Sequence, residues 1–308
     1  MNVSAKREQS HNLRVRADAI SAALPSLLVS ARRIAASVTL GSHGRRRAGV
    51  GDSFWQFRPY SKDDTPQAID WRQSGKFDTV FVREREWVAA QTAVLWCDTS
   101  PSMRYRSSPN LITKAERAAV MMLAMAELLV DGGERVLRLD GEGRPQRAAA
   151  AGRIAVAQIG DAVAAELISD ERPESASTMP IFSAALPRYA SIVLLSDFLA
   201  PLEDIANSVR ALARWGIGGH LVQVLDPAEE TLPFSGRVRF VGLEEEGATV
   251  IDRAEEARTG YVSKLMAHRQ GLKALATSVG WSFGLHHTDH SPLPATAALH
   301  NAITGFRR

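Results

Sequence analysis

The stretch "TAVLWCDTSPSM", residues 92–103, ends a short apolar run in an aspartate and then places two serines at alternating positions. Its first part, 92–98, has the length and the β-branched and aromatic content of a buried strand. In an extended continuation, alternate spacing puts Asp98, Ser100 and Ser102 on one side of the chain. One carboxylate and two hydroxyls are hard oxygen donors. They suit Mg²⁺, which keeps several of its waters and takes few protein ligands. A plainer reading of the same residues is a turn capped by Asp98 and Ser100, with Pro101 fixing its geometry.

Working outward, the chain alternates strands and helices from Gln91 onward. Strands are predicted at 92–98, 134–141, 191–198, 219–226 and 281–287, and helices at 113–130, 152–168, 201–215 and 255–280. That order implies an α/β fold with a mostly parallel sheet covered by helices on both faces. "SIVLLSDF" (191–198) is the clearest buried strand, and it delivers a second carboxylate, Asp197, to the same sheet edge as Asp98. Ligands of such sheets bind beyond the carboxyl ends of the strands. Residues 236–252 read as a hairpin with its turn near Glu246-Gly247, within an insertion near 229–252. Upstream, 13–36 has helical spacing interrupted by Pro25, and 54–88 holds the aromatic runs "FWQFRPY" and "TVFVREREWV", which suggest strands. The expected division is an N-terminal helical and β segment over 1–87, forming a small appendage, and an α/β domain over 88–308.

Other chemistries fit these residues less well. A cysteine-phosphatase loop needs arginine at the position held by Met103, and the arginine is Arg104. An aspartyl phosphotransferase would need an acid at Ser100, and a serine-hydrolase elbow needs glycines around its serine. A net charge of +3 over 308 residues does not mark a nucleic-acid binder. The single cysteine, Cys97, excludes an internal disulfide framework. No apolar run reaches the length of a membrane span, and the charged N-terminus does not suit a signal peptide. The expected compartment is the cytoplasm. The basic loop Arg45–Arg47 reads as a solvated or protein-facing segment, and His286, His287 and His290 as a surface cluster. Glu127 is expected on a solvated helix face, Trp87 and Trp96 in packing, and Asp70-Trp71 as a lock between the N-terminal segment and the core.

The pattern D-x-S-x-S after a hydrophobic strand, with a later strand ending in aspartate, resembles the metal-ion-dependent adhesion site of von Willebrand factor A domains. The resemblance implies a von Willebrand A-like fold and adds a threonine from an intermediate loop. Thr178, in "SASTMPIFSAAL", is the counterpart, with Ser175 or Ser177 as substitutes. The stretch "GVGDSFWQFRPYSKDDTPQAIDWRQSGK" also resembles the signature of the domain of unknown function 58 family, through Gly49, Gly51, Phe54, Arg58, Tyr60, Pro66, Ile69, Asp70 and Trp71. It departs from that signature at Lys62, Asp63 and Gln67. These resemblances imply a non-enzymatic module holding Mg²⁺ (or Mn²⁺) through Asp98, Ser100, Ser102, Thr178 and Asp197. They further imply a MoxR-type AAA+ ATPase as partner, for which the module would be an adaptor or assembly cofactor. The alternatives are a hydrolase using the same cation, or a structural domain whose metal site is vestigial.

Overall fold

The computed structural model describes residues 25–39, 54–61, 69–77, 79–85, 91–168, 179, 186–242 and 247–305. The chain divides into two compact units, one of Ser42–Ala90 and one of Met1–Gly41 with Gln91–Arg308. Helix α1 (residues 25–39) therefore belongs to the larger unit and not to the segment that ends at residue 87. Pro25 is the first described residue of this helix, and the stretch 13–24 expected to precede it lies outside the described residues. The basic loop 45–47 and Trp87 lie outside the described residues.

In the smaller unit, β1 (Phe54–Pro59) runs antiparallel to the strand Phe81–Arg85. Between them sits the four-residue helix α2 (Trp71–Ser74), and the second strand is β2. Asp70 caps α2 by accepting from the Gln73 N–H at 2.9 Å, and Ser74 Oγ accepts from the Phe81 N–H at 2.9 Å. Asp70 is thus used locally as a cap. Trp71 is 69% exposed.

The larger unit is built on β3 (Thr92–Cys97), α3 (Lys114–Asp131), β4 (Arg135–Arg138), α4 (Arg153–Ile168), β5 (Ser191–Ser196), α5 (Leu202–Arg214) and β6 (Gly218–Leu225). It continues through the short α6 (Pro227–Thr231), the hairpin β7 (Val238–Val241) and β8 (Ala248–Ile251), α7 (Ala254–Ser278), β9 (Ser282–His287) and α8 (Pro292–Gly305). Five strands form one sheet in the order β4-β3-β5-β6-β9, and every neighbouring pair is parallel. The predicted α/β architecture and mostly parallel sheet are present, as is the antiparallel hairpin. Helices α6 and α8 have no counterpart in the sequence reading.

Alternation along the strands divides the core. Ala93, Leu95 and Cys97 of β3 face one cluster with α1, α3, α4 and α8. Val94 and Trp96 face the other, with α5 and α7. Both faces are dry, so each strand reads as a continuous apolar run. Helix α3 starts on a capping box between Thr113 and Glu116 and ends at Gly132, followed by Gly133 at φ 82°. It is buried nearly all round, as a helix clothed by α1, α4 and α8 must be. Glu127 is consequently buried, and its Oε1 accepts from Arg32 Nε of α1 at 2.9 Å. The solvated face expected for Glu127 is the face that α1 covers. Close approach also shapes the sheet at Gly219, where a Cβ would lie 2.3 Å from the Trp281 indole. Among the described residues no helix is long and apolar enough to cross a membrane.

Candidate cation site

The carboxyl ends of β3 and β5 deliver Asp98 and Asp197 side by side, as their parallel pairing requires. Asp98 is 2% exposed. Its Oδ1 accepts from the Ser100 N–H at 2.8 Å and its Oδ2 from Ser196 Oγ at 2.6 Å. The first bond is the turn cap read in the sequence. It also sets the direction of the loop that carries the serines, whose next step is the 3₁₀ turn Pro101–Arg104. Ser100 Oγ lies 3.1 Å from Ser102 Oγ, and Ser102 Oγ donates to Asp197 Oδ2 at 2.9 Å. Four of the five predicted residues therefore meet in one network. The fifth, Thr178, lies outside the described residues, as do Ser175 and Ser177.

Asp197 is fully buried. Its Oδ1 accepts from the Leu199 N–H at 3.3 Å, and its backbone carbonyl accepts from Gln223 Nε2 at 2.9 Å. Burial, with the nearby Asp197 charge next in weight, pushes the Asp98 carboxyl up to about 7, against the bonds from Ser196 and Ser100. Two carboxylates this close in a dry place repel, and a positive charge between them relieves the repulsion.

The donor set fits a small hard cation. Adjacent ligands of an octahedral Mg²⁺, with bonds of about 2.1 Å, lie about 3.0 Å apart. The spacings from Ser100 Oγ to Ser102 Oγ and from Ser102 Oγ to Asp197 Oδ2 are 3.1 and 2.9 Å. Among the described residues no three His, Cys, Asp or Glu side chains gather to hold a metal. A cation here would rest on two carboxylates, two hydroxyls and water.

Sequence reasoning missed a positive charge at this place. Lys114 is fully buried, and its Nζ donates to Asp197 Oδ2 at 2.8 Å and to Glu229 Oε1 at 2.6 Å. Burial alone would lower the lysine's pKa, but the Asp197 and Glu229 carboxylates reverse the effect and hold it above the ordinary lysine value. Glu229 is held in turn by the Asp226 N–H at 2.8 Å, within the capping box that opens α6. The available signal was a lysine at the first position of a strongly apolar helix. Its acidic partners are 83 and 115 residues away, so the signal could not be interpreted locally.

Among the described residues the histidines gather no metal centre. His286 is buried rather than on the surface, and its Nε2 has no hydrogen-bond partner. Burial, and then the Arg117 charge, lower its pKa to about 4. His287 Nε2 lies 3.2 Å from Glu230 Oε2, a carboxylate that also pairs with Arg269. His290 stacks edge-on against His287 with its side chain exposed.

The solved structures that resemble the chain at low identity include two from Bacteroides species. The conserved hypothetical protein BatB from Bacteroides thetaiotaomicron is 16% identical, with a TM-score of 0.42 over 70% of this chain and 98% of its own. An aerotolerance-related membrane protein from Bacteroides fragilis is 18% identical, with a TM-score of 0.40 over 70% of this chain and all of its own. No curated protein matches. The family model described as "Protein of unknown function DUF58" matches residues 56–271, more than half of the sequence. The chain belongs to the DUF58 family.

Proposed function

We propose that this protein is a non-enzymatic, Mg²⁺-dependent interaction module with a von Willebrand A-like fold, acting as an adaptor for a MoxR-type AAA+ ATPase in the cytoplasm. The observation that carries the cation reading is the spacing of Ser100 Oγ, Ser102 Oγ and Asp197 Oδ2 at the carboxyl edge of a parallel sheet. With few protein ligands, Mg²⁺ keeps positions open for water, and a partner's carboxylate can replace one of them. Octahedral geometry makes that capture selective as well as attractive. The partner assignment rests on the family resemblance. It agrees with the lack of any G-x-x-x-x-G-K-[ST] motif in the chain, which leaves nucleotide chemistry to another protein.

A hydrolase using the same cation needs a free base beside it. Among the described residues, Glu229 is engaged through both oxygens, and His268 through Nε2 at the Phe198 carbonyl, 2.6 Å away. The interaction reading is therefore preferred. Its test is co-elution with a MoxR-type hexamer in Mg²⁺ and in chelator. The complex is expected to weaken in chelator and to be lost with the double change Ser100→Ala, Ser102→Ala. Binding that ignores both would remove the adaptor reading.

A further inference from the structure

We propose that the Lys114 ammonium is a built-in cation of this site, which neutralises Asp197 when no divalent ion is bound and competes with such an ion for the same carboxylate. The inference rests on the cation reading above and assigns its regulation to one residue of the chain.

Three observations converge on it. Lysine is almost never fully buried unless paired, yet Lys114 has no exposed surface. It is also the first residue of the 18-residue helix α3, where the helix dipole disfavours a positive charge. Neither burial nor position benefits the helix itself, so the reason for a lysine here lies in its two carboxylate partners. Third, Asp197 Oδ2 accepts from both Lys114 Nζ and Ser102 Oγ. It is the oxygen whose spacing from the serine fits an octahedron, so an entering ion and the ammonium converge on one atom. The second partner gives the ammonium somewhere to go. Glu229 already holds Nζ at 2.6 Å and is itself fixed by the Asp226 N–H. When a divalent ion occupies Asp197, the ammonium withdraws towards Glu229 with its charge still paired. Competition of this kind lowers divalent affinity, so occupancy depends on the free ion concentration or on a partner carboxylate completing the coordination.

The test is Mn²⁺ and Mg²⁺ titration calorimetry on the wild type, Lys114→Met and Lys114→Gln, combined with melting curves in chelator and in Mg²⁺. Both variants should bind the ions about tenfold or more tightly, the size of an ordinary coupling between sites. They should melt early in chelator and recover in Mg²⁺. Binding equal to or weaker than wild type, or a stability loss that Mg²⁺ does not repair, makes Lys114 a purely structural ion pair. Where neither variant folds, acylation of wild-type lysines read by mass spectrometry decides. Lys114 should label faster in saturating Mg²⁺ than in chelator, and unchanged protection while calorimetry reports bound ion overturns the competition. If no protein binds either ion under any condition, the cation reading fails first and this inference falls with it.

Discussion

Ser102 Oγ donates to Asp197 Oδ2 at 2.9 Å, joining residues 95 positions apart at the ends of the neighbouring strands β3 and β5. The serine is partly exposed and its bond is one of several at that carboxylate, whereas Asp197 is buried and neutralises Lys114. The two residues should therefore separate function from stability. Ser102→Ala should weaken Mg²⁺ binding on the order of 10- to 100-fold and cost about 1 kcal/mol of stability. Asp197→Ala should abolish binding and destabilise by about 3–5 kcal/mol, because it leaves a buried ammonium short of a partner. Calorimetry and denaturant melts on the two variants check the contrast, and equal stability losses would refute it.

What could be read in the sequence followed from repetition. Strands buried on both faces write themselves as apolar runs such as 191–196, and two runs ending in aspartate place Asp98 and Asp197 at one edge of a parallel sheet. Register then brings the side chains together. What could not be read depended on distant segments. The local sequence points Glu127 to solvent because nothing near it says that α1 lies across α3. Lys114 looks like an ordinary helix-start residue until Asp197 and Glu229 arrive from β5 and α6.

Asp98 should make stability and cation binding depend on pH with a definite sign. Its carboxyl is pushed up to about 7 by burial and then by Asp197, so the native protein keeps a proton that the unfolded chain releases above about pH 4. The stability this contributes is complete below about pH 4 and is lost as pH rises through about 7, amounting to a few kcal/mol at most. Asp98→Asn should flatten the decline in melting temperature over that window. Divalent binding, which needs the carboxylate, should tighten over the same window and release a proton. Titrations in buffers of different ionisation enthalpy read that release directly.

Two histidines act in the opposite direction. Burial lowers His220 to about 4, with Nδ1 2.7 Å from Ser282 Oγ, and His286 is lowered to about 4 by burial and then Arg117. Their folded values lie below the ordinary imidazole value, so the stability they contribute is present above about pH 6.5 and is lost as pH falls towards 4. His286 is the cleaner probe because its Nε2 has no partner to lose. His286→Leu should be neutral or mildly stabilising at neutral pH and should shallow the acid side of the stability profile. An unchanged acid slope would show that the ring does not remain neutral in the fold.

Gly219 lies against the Trp281 indole, whose Nε1 donates to the Ile217 carbonyl at 3.0 Å. A Cβ at Gly219 would meet the ring at 2.3 Å, and the ring's own hydrogen bond opposes its moving aside. Gly219→Ala should therefore destabilise by about 1–3 kcal/mol through overpacking, with cation affinity unchanged in the folded fraction. The double change Gly219→Ala, Trp281→Phe should recover part of the loss, and a larger loss in the double variant would rule out the clash.

Helix α1 is the other element whose role can be measured separately. Leu27, Ala31, Ala35 and Val38 are buried in the core cluster that α3 dominates, while Arg32, more than half exposed, reaches Glu127 at the covered edge. Arg32→Ala leaves the Glu127 carboxylate buried without that partner, and should cost about 1–3 kcal/mol. Arg32→Ala together with Glu127→Leu removes both polar groups and should recover most of the loss. Ala31→Asp places a charge where no surface is exposed, so α1 should detach from α3 while the parallel sheet persists. Hydrogen exchange then distinguishes two architectures. Faster exchange confined to α1 and the facing turns of α3 marks α1 as a separable cover, and loss of protection across β3 and β5 marks it as part of the cooperative core. Only the first is expected, because α1 touches one face of α3 while α4, α8 and the sheet hold the others.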